Sequence, residues 1–233
     1  MKQADAMSWE QFCYTTGELY EGVFMTNKLL LGVFLMICVT QTAATAKAAD
    51  ELQQVIGPDR LPQFTDLVNL PYLSAFVKEV FRWRPISALP GPHVVTQDDE
   101  YNGYFIPAQS TLFANAWAIH MDKAEYQNPE AFWPERWLQR PDAPTATFGF
   151  GRRICPGRHI AADVFSIAAA SLLWAFDIQT TSDLREIDTT KSSFRGVVFR
   201  APDLPIEFRP RSAKHEEVIR RSWQRCEETL ASK

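Results

Sequence analysis

Three glycines and a proline fall within Phe148-Gly-Phe-Gly-Arg-Arg-Ile-Cys-Pro-Gly157, and a long apolar stretch, Arg158 to Trp174, follows at once. No other pairing in the chain constrains the fold as strongly. The glycine-rich run must be an irregular loop, whereas Arg158 to Trp174 has the pattern of a buried helix, with Pro156 suited to its first turn. A single cysteine, Cys155, stands where loop meets helix. At such a junction backbone N–H groups and the helix dipole favour the thiolate over the thiol, and a thiolate is what a metal ion requires of a cysteine. Gly149, Gly151 and Gly157 offer φ freedom and let the backbone approach a large flat group, to whose acidic substituents Arg153 could pair. The plainer alternative is a glycine turn ahead of a core helix with a structural cysteine.

Composition narrows the partners. With 233 residues, 46% hydrophobic and 22% charged, the chain suits one or two ordinary globular domains. A net charge of −4 and no lysine or arginine run argue against nucleic acid. Cys13, Cys38, Cys155 and Cys226 lie far apart without a CxxC pair or secretory signal, which predicts free thiols in a reducing compartment. His93, His120, His159 and His215 are equally scattered, so zinc spacing is absent. The longest apolar run, Leu29 to Val39, is too short to span a bilayer and reads as a buried core helix, leaving membrane association unsupported.

Along the chain, residues 7–39 are apolar and helical in pattern, and 43–55 form a second helix that stops at Ile56-Gly57-Pro58. Pro71 to Trp83 is a third. Its apolar face is Tyr72, Leu73, Phe76, Val77, Val80 and Phe81, and Pro85 bars continuation. His93 to Thr96, Tyr101 to Ile106 and Thr111 to Phe113 read as short strands, with Asn102-Gly103 as a hairpin turn. A short helix at 114–121 and an irregular, proline-rich stretch at 128–144 lead into the cysteine loop.

The residues Phe148, Gly151, Arg153, Cys155 and Gly157, in their spacing, resemble in full the haem-binding signature of the cytochrome P450 monooxygenases. Glu79 and Arg82, three apart on one helix face, resemble that family's Glu-x-x-Arg. Phe132-Trp-Pro-Glu-Arg-Trp137 is similar to a further segment of the family, with Trp137 in place of the usual Phe. Alone, a pair like Glu79 and Arg82 is commonly surface decoration. In this order, the resemblance implies that Arg136 completes a buried Glu-Arg-Arg network that locks the proline-rich stretch against the Glu79 helix.

The resemblance implies a mainly α fold with small β-sheets (α+β), the C-terminal portion of the cytochrome P450 fold with the N-terminal half missing. Residues 1–211 would be the partial haem-binding domain and 212–233 a C-terminal tail. Cys155 would ligate the iron of heme b, with Phe148, Gly151 and Gly157 beside it and Arg153 on a propionate. His93, in Leu89-Pro-Gly-Pro-His93, would donate to a haem propionate; a lone strand histidine is otherwise a partly exposed residue with one backbone hydrogen bond. No residue is assigned a catalytic role. The family's oxygen-activating acid-alcohol pair has no match: Gly22-Val-Phe-Met-Thr-Asn27 is the equivalent segment, which keeps Thr26 but has Met25 in place of the acid. A threonine in an apolar helix more often bonds its own i−4 carbonyl.

The implied reaction is oxidation, typically hydroxylation, of a small apolar organic substrate in secondary-metabolite biosynthesis. It would use dioxygen and electrons from an NADPH-dependent reductase, in the cytosol or on the cytosolic face of the endoplasmic reticulum. The alternative is an inactive remnant that binds haem or a partner. Ser193 to Phe199 and Pro205 to Pro210 resemble a terminal β-hairpin bordering the substrate, with Phe194 to Val198 in contact. Without the N-terminal half, the helices around Trp174 should present an apolar face. The tail carries Ile219, Trp223, Cys226 and Leu230 at helical spacing, an amphipathic surface helix or, alternatively, an untethered tail.

Overall fold

The computed structural model describes residues 7–184, 187, 189, 194, 195 and 198–231. Helix α1 (Trp9–Thr40) opens on a capping box in which the Ser8 hydroxyl accepts from the Gln11 backbone N–H and the Ser8 backbone N–H donates to Gln11 Oε1. Its two halves differ. Residues 9–26 are exposed, whereas Leu30, Val33, Phe34, Met36, Ile37, Cys38 and Val39 are buried. The expected buried run is thus the end of a longer helix. By length and composition α1 is apolar enough to cross a membrane, a test that core helices also pass. Burial pushes the Cys38 thiol well up, so it stays neutral.

Helix α2 (Thr42–Val55) ends at Gly57, whose φ of 69° needs a residue without a Cβ. Helix α3 (Pro71–Trp83) begins with proline at its first turn, and the Glu51 carboxylate of α2 accepts from the Tyr72 and Leu73 amides at 2.8 Å each. These donors would otherwise be orphaned. The core forms where α1, α2 and α3 meet α6 (Arg158–Ala175), centred on Phe34, which sits edge-on to Phe76 and Phe165. The short helices α4 (Ala116–His120) and α5 (Glu135–Gln139) lie between α3 and the cysteine loop. Sequence patterning misses α5, whose single turn starts from Pro134, where proline's fixed φ is already helical.

Among the described residues the sheets are two-stranded and antiparallel. Strand β1 (His93–Val94) pairs with β4 (Thr111–Leu112), and β2 (Asp99–Tyr101) with β3 (Tyr104–Ile106) across the predicted Asn102-Gly103 turn. Both turn residues have positive φ, as the hairpin twist requires. Strand β6 (Phe194–Arg195) pairs with β7 (Val198–Phe199). The terminal strands depart from expectation: β8 (Ile206–Pro210) pairs with β5 (Phe176–Thr180), the direct continuation of α6. A hairpin between 193–199 and 205–210 therefore does not form. Ser193, Gly196 and Val197 lie outside the described residues, and with the last two part of the expected substrate contact there.

The tail is helical, α7 (Ala213–Ala231), but the predicted stripe is only partly used. His215 and Val218 are buried and Ile219 packs beside them, while Trp223 and Leu230 are 65% and 74% exposed. His215 lies 4.6 Å from Trp174, whose indole N–H donates to the Gly57 carbonyl at 2.7 Å. Trp174 is accordingly buried, against the expectation of an open apolar face around it. The apolar surface left open lies on the first half of α1, at Trp9, Phe12, Tyr14, Tyr20 and Phe24.

Candidate functional site

The cysteine loop is a closed hairpin of backbone. The Cys155 amide donates to the Phe148 carbonyl at 2.9 Å, the Ile154 amide to Gly151 at 3.2 Å, and the Gly149 amide to Ala146 at 3.1 Å. Gly149 and Gly151 have φ of 73° and 62°, the left-handed region that lets the loop turn this tightly. Gly157, the N-cap of α6, has an ordinary φ of −83°, so the expected backbone freedom is not its reason for being glycine. A Cβ there would also meet nothing within 4 Å. Neither strain nor packing within the chain calls for glycine at 157, and the space beside its Cα is open. Cys155 is half-buried with a free thiol, and its carbonyl accepts from the Arg158 guanidinium at 3.3 Å.

Aromatic contacts seat the loop on the core. Phe148 tilts against Phe81 of α3 at 5.4 Å, and Phe81 against Phe165 of α6 at 5.5 Å. On the opposite side Phe150 stacks on His93 at 5.3 Å and 16°, bringing β1 to the loop. The structure thereby gathers Phe148, Gly151, Arg153, Cys155, Gly157 and His93 in one neighbourhood. Arg153 is exposed and, among the described residues, forms no ion pair. Thr26 stands apart on the exposed half of α1, its hydroxyl donating to the Gly22 carbonyl at 2.5 Å.

Behind the loop lies a buried carboxylate, Glu79, with five donors. Arg82 Nε and Nη2 give a bidentate pair at 2.9 and 2.7 Å, Arg136 Nε donates at 3.1 Å, the Trp133 amide at 2.9 Å and the Trp137 indole at 2.9 Å. Glu79 and Arg82 are fully buried and Arg136 nearly so. This saturation offsets the desolvation that makes an unpaired buried charge so costly. Spacing between Glu79 and Arg82 announces the first pair, but the indole donor appears only as an atypical residue, Trp137, at a motif position. The remaining guanidinium N–H groups clamp chain: Arg136 donates to the Gln127, Asn128 and Ala131 carbonyls, and Arg82 to Ala131 and His120.

His120 carries no signal in the sequence beyond being one of four scattered histidines. It is fully buried, and its Nε2 accepts from the Ala146 amide at 3.0 Å, with the Thr145 hydroxyl at 3.1 Å. Burial, with the Arg82 guanidinium adding to it, pushes the imidazole down from 6.5 to about 4, so the ring is neutral at physiological pH.

A family model described as Cytochrome P450 matches residues 1–208. The chain belongs to the cytochrome P450 family. The cytochrome P450 monooxygenase criE of Aspergillus cristatus is 40% identical over 224 residues, covering 96% of this chain and 42% of that protein. Fumitremorgin C synthase of Neosartorya fischeri is 38% identical over 223 residues, 95% of this chain and 42% of the synthase. A solved zebra fish cytochrome P450 with abiraterone superposes with a TM-score of 0.79 at 28% identity, over 91% of this chain and 50% of that one. This cytochrome P450 chain thus spans less than half the length of the curated relatives it matches. It is a mainly helical chain with small sheets, carrying the fold of the C-terminal part of the family. The curated relatives it matches include proteins named as cytochrome P450 monooxygenases.

Proposed function

We propose that this chain provides the haem-thiolate half of a monooxygenase that oxidises a small apolar organic substrate in fungal secondary metabolism. The relatives named for fumitremorgin C and echilunin support the metabolic setting. The observation that carries the reading is the Cys155 loop, whose amide is tied to Phe148 while its thiol is free beside an open Gly157. The residues present fit heme b: Cys155 as the thiolate ligand, Phe148, Gly151 and Gly157 against the ring, and Arg153 and His93 as donors to the propionates. Bound there, haem supplies dioxygen activation, with thiolate ligation favouring O–O cleavage and electrons coming from an NADPH-dependent reductase. The chain's own part is positional. Phe148 excludes water behind Cys155, and the Glu79 cluster fixes the segment that leads into the loop. Residues 1–211 form the haem-binding part, with α7 appended to it.

The test is to add haem to the purified chain, reduce it under carbon monoxide and record the difference spectrum. A thiolate-type band in the wild type that vanishes in Cys155→Ala is the expected result; well-folded protein with no band overturns the reading. A second reading, haem binding without turnover, draws on Thr26, whose hydroxyl is spent on the Gly22 carbonyl. With a reductase supplied, NADPH consumption that ends only in peroxide would select that second reading.

A further inference from the structure

We propose that His120 is a positioning residue that couples the buried Glu79 cluster to the cysteine loop, its carbonyl held by Arg82 and its ring Nε2 holding the Ala146 amide. The path is continuous in hydrogen bonds. Arg82 Nη1 donates to the His120 carbonyl at 2.8 Å, and the Ala146 amide donates to His120 Nε2 at 3.0 Å. The Ala146 carbonyl then accepts from Gly149 at 3.1 Å, and Phe148, between them, accepts from Cys155 at 2.9 Å. Among the described residues no hydrogen bond of Glu79 or Arg136 reaches the cysteine loop itself.

The chemistry of the ring supports a directed role over simple packing. With Nε2 accepting, the ring proton sits on Nδ1, which is buried and has no partner among the described residues. An apolar side chain would fill the same space without that cost. What it would not supply is an acceptor for the Ala146 amide, which is itself buried and has no other acceptor among the described residues. The orphaned nitrogen is the cost of the one that works.

The inference rests on the haem reading only for its spectroscopic consequence, so two measurements on the 233-residue chain separate them. In the haem-free chain, amide hydrogen exchange is compared for wild type, His120→Leu, His120→Gln and His120→Asn. Gln places an oxygen near the Nε2 position, whereas Asn places one near Nδ1. The Leu and Asn variants should exchange the Ala146, Gly149 and Cys155 amides roughly ten-fold faster or more, and Gln should restore them. The Trp133 amide, held by Glu79, should be unchanged throughout. Acceleration at Ala146 alone, or Asn and Gln behaving alike, overturns the proposal; should Leu fail to fold, the Asn and Gln pair decides. After haem addition and reduction under carbon monoxide, Leu and Asn should convert the thiolate-type band to a thiol-type band and Gln should keep it. A wild type without any thiolate band sinks the haem reading while the exchange result still judges His120. A wild-type thiolate band fully retained in both Leu and Asn sinks the coupling.

Discussion

The segments behind and in front of the cysteine loop are built differently. Behind it, Glu79 takes five donors, and Arg82, Arg136 and His120 fasten three stretches of chain to one another. On the first half of α1 the side chains are exposed and Thr26 bonds its own helix. Behind the loop Glu79, Arg82 and His120 reach partners 26 or more residues away, whereas Thr26 on α1 is satisfied locally. Distant satisfaction fixes geometry; local satisfaction leaves a surface whose form depends on what packs against it. On the function proposed above, ligand placement would rest on this chain's firm side, and reaction on this chain together with what packs against α1.

The largest effect should come from Glu79→Ala, which strands two buried guanidinium groups. A loss of about 3–5 kcal/mol, read as a shift in the urea midpoint, is expected; a loss below about 1 kcal/mol would mean that the cluster is no firmer than a surface pair. Acid should come next. The His120 imidazole sits at about 4 folded against an ordinary value of 6.5, so its neutral form favours folding fully above 6.5. As pH falls from 6.5 toward about 4 the unfolded chain takes up a proton that the folded one refuses, costing on the order of 3 kcal/mol. Comparing the pH dependence of stability in wild type and His120→Gln isolates that contribution, and identical slopes would remove His120 from the firm side.

Trp137→Phe keeps the aromatic but deletes one donor to Glu79, for an expected cost of about 1–2 kcal/mol by denaturant titration. A neutral result would show that four donors suffice. Smallest is Thr26→Ala: its helix should gain up to about 0.5 kcal/mol, alanine being the better helix former. In the haem-loaded chain with reductase, the ratio of peroxide released to NADPH consumed should not move. A changed ratio would bring Thr26 into the chemistry and break the contrast between the two sides.

What the sequence shows, and what it hides, follows the same division. Glu79 and Arg82 are legible because they are three apart on a helix that begins and ends at proline; the cysteine loop is legible because its glycines punctuate it. His120 is not, since its two partners, Arg82 and the Ala146 amide, lie 38 and 26 residues away and no periodicity marks them. The pairing of β8 with β5 is hidden for a like reason: the paired residues Phe176 and Pro210 lie 34 apart, and 176–180 is not among the strands expected from the sequence. The tail misleads in a different way. Its apolar stripe is real as a pattern, but the docked end is the first turn, where His215 meets Trp174, and the rest of the stripe faces outward.

Glu79 also has a consequence for how the chain assembles. Its donors arrive from its own helix and from the 133–137 segment more than fifty residues later, so the carboxylate can leave water only when both are in place. A collapse that buries α3 early would bury the carboxylate with Arg82 alone to pair it, its other three donors missing, and be driven back. The residue thus serves as a check on order, admitting the core helices and the segment ahead of the cysteine loop together or not at all.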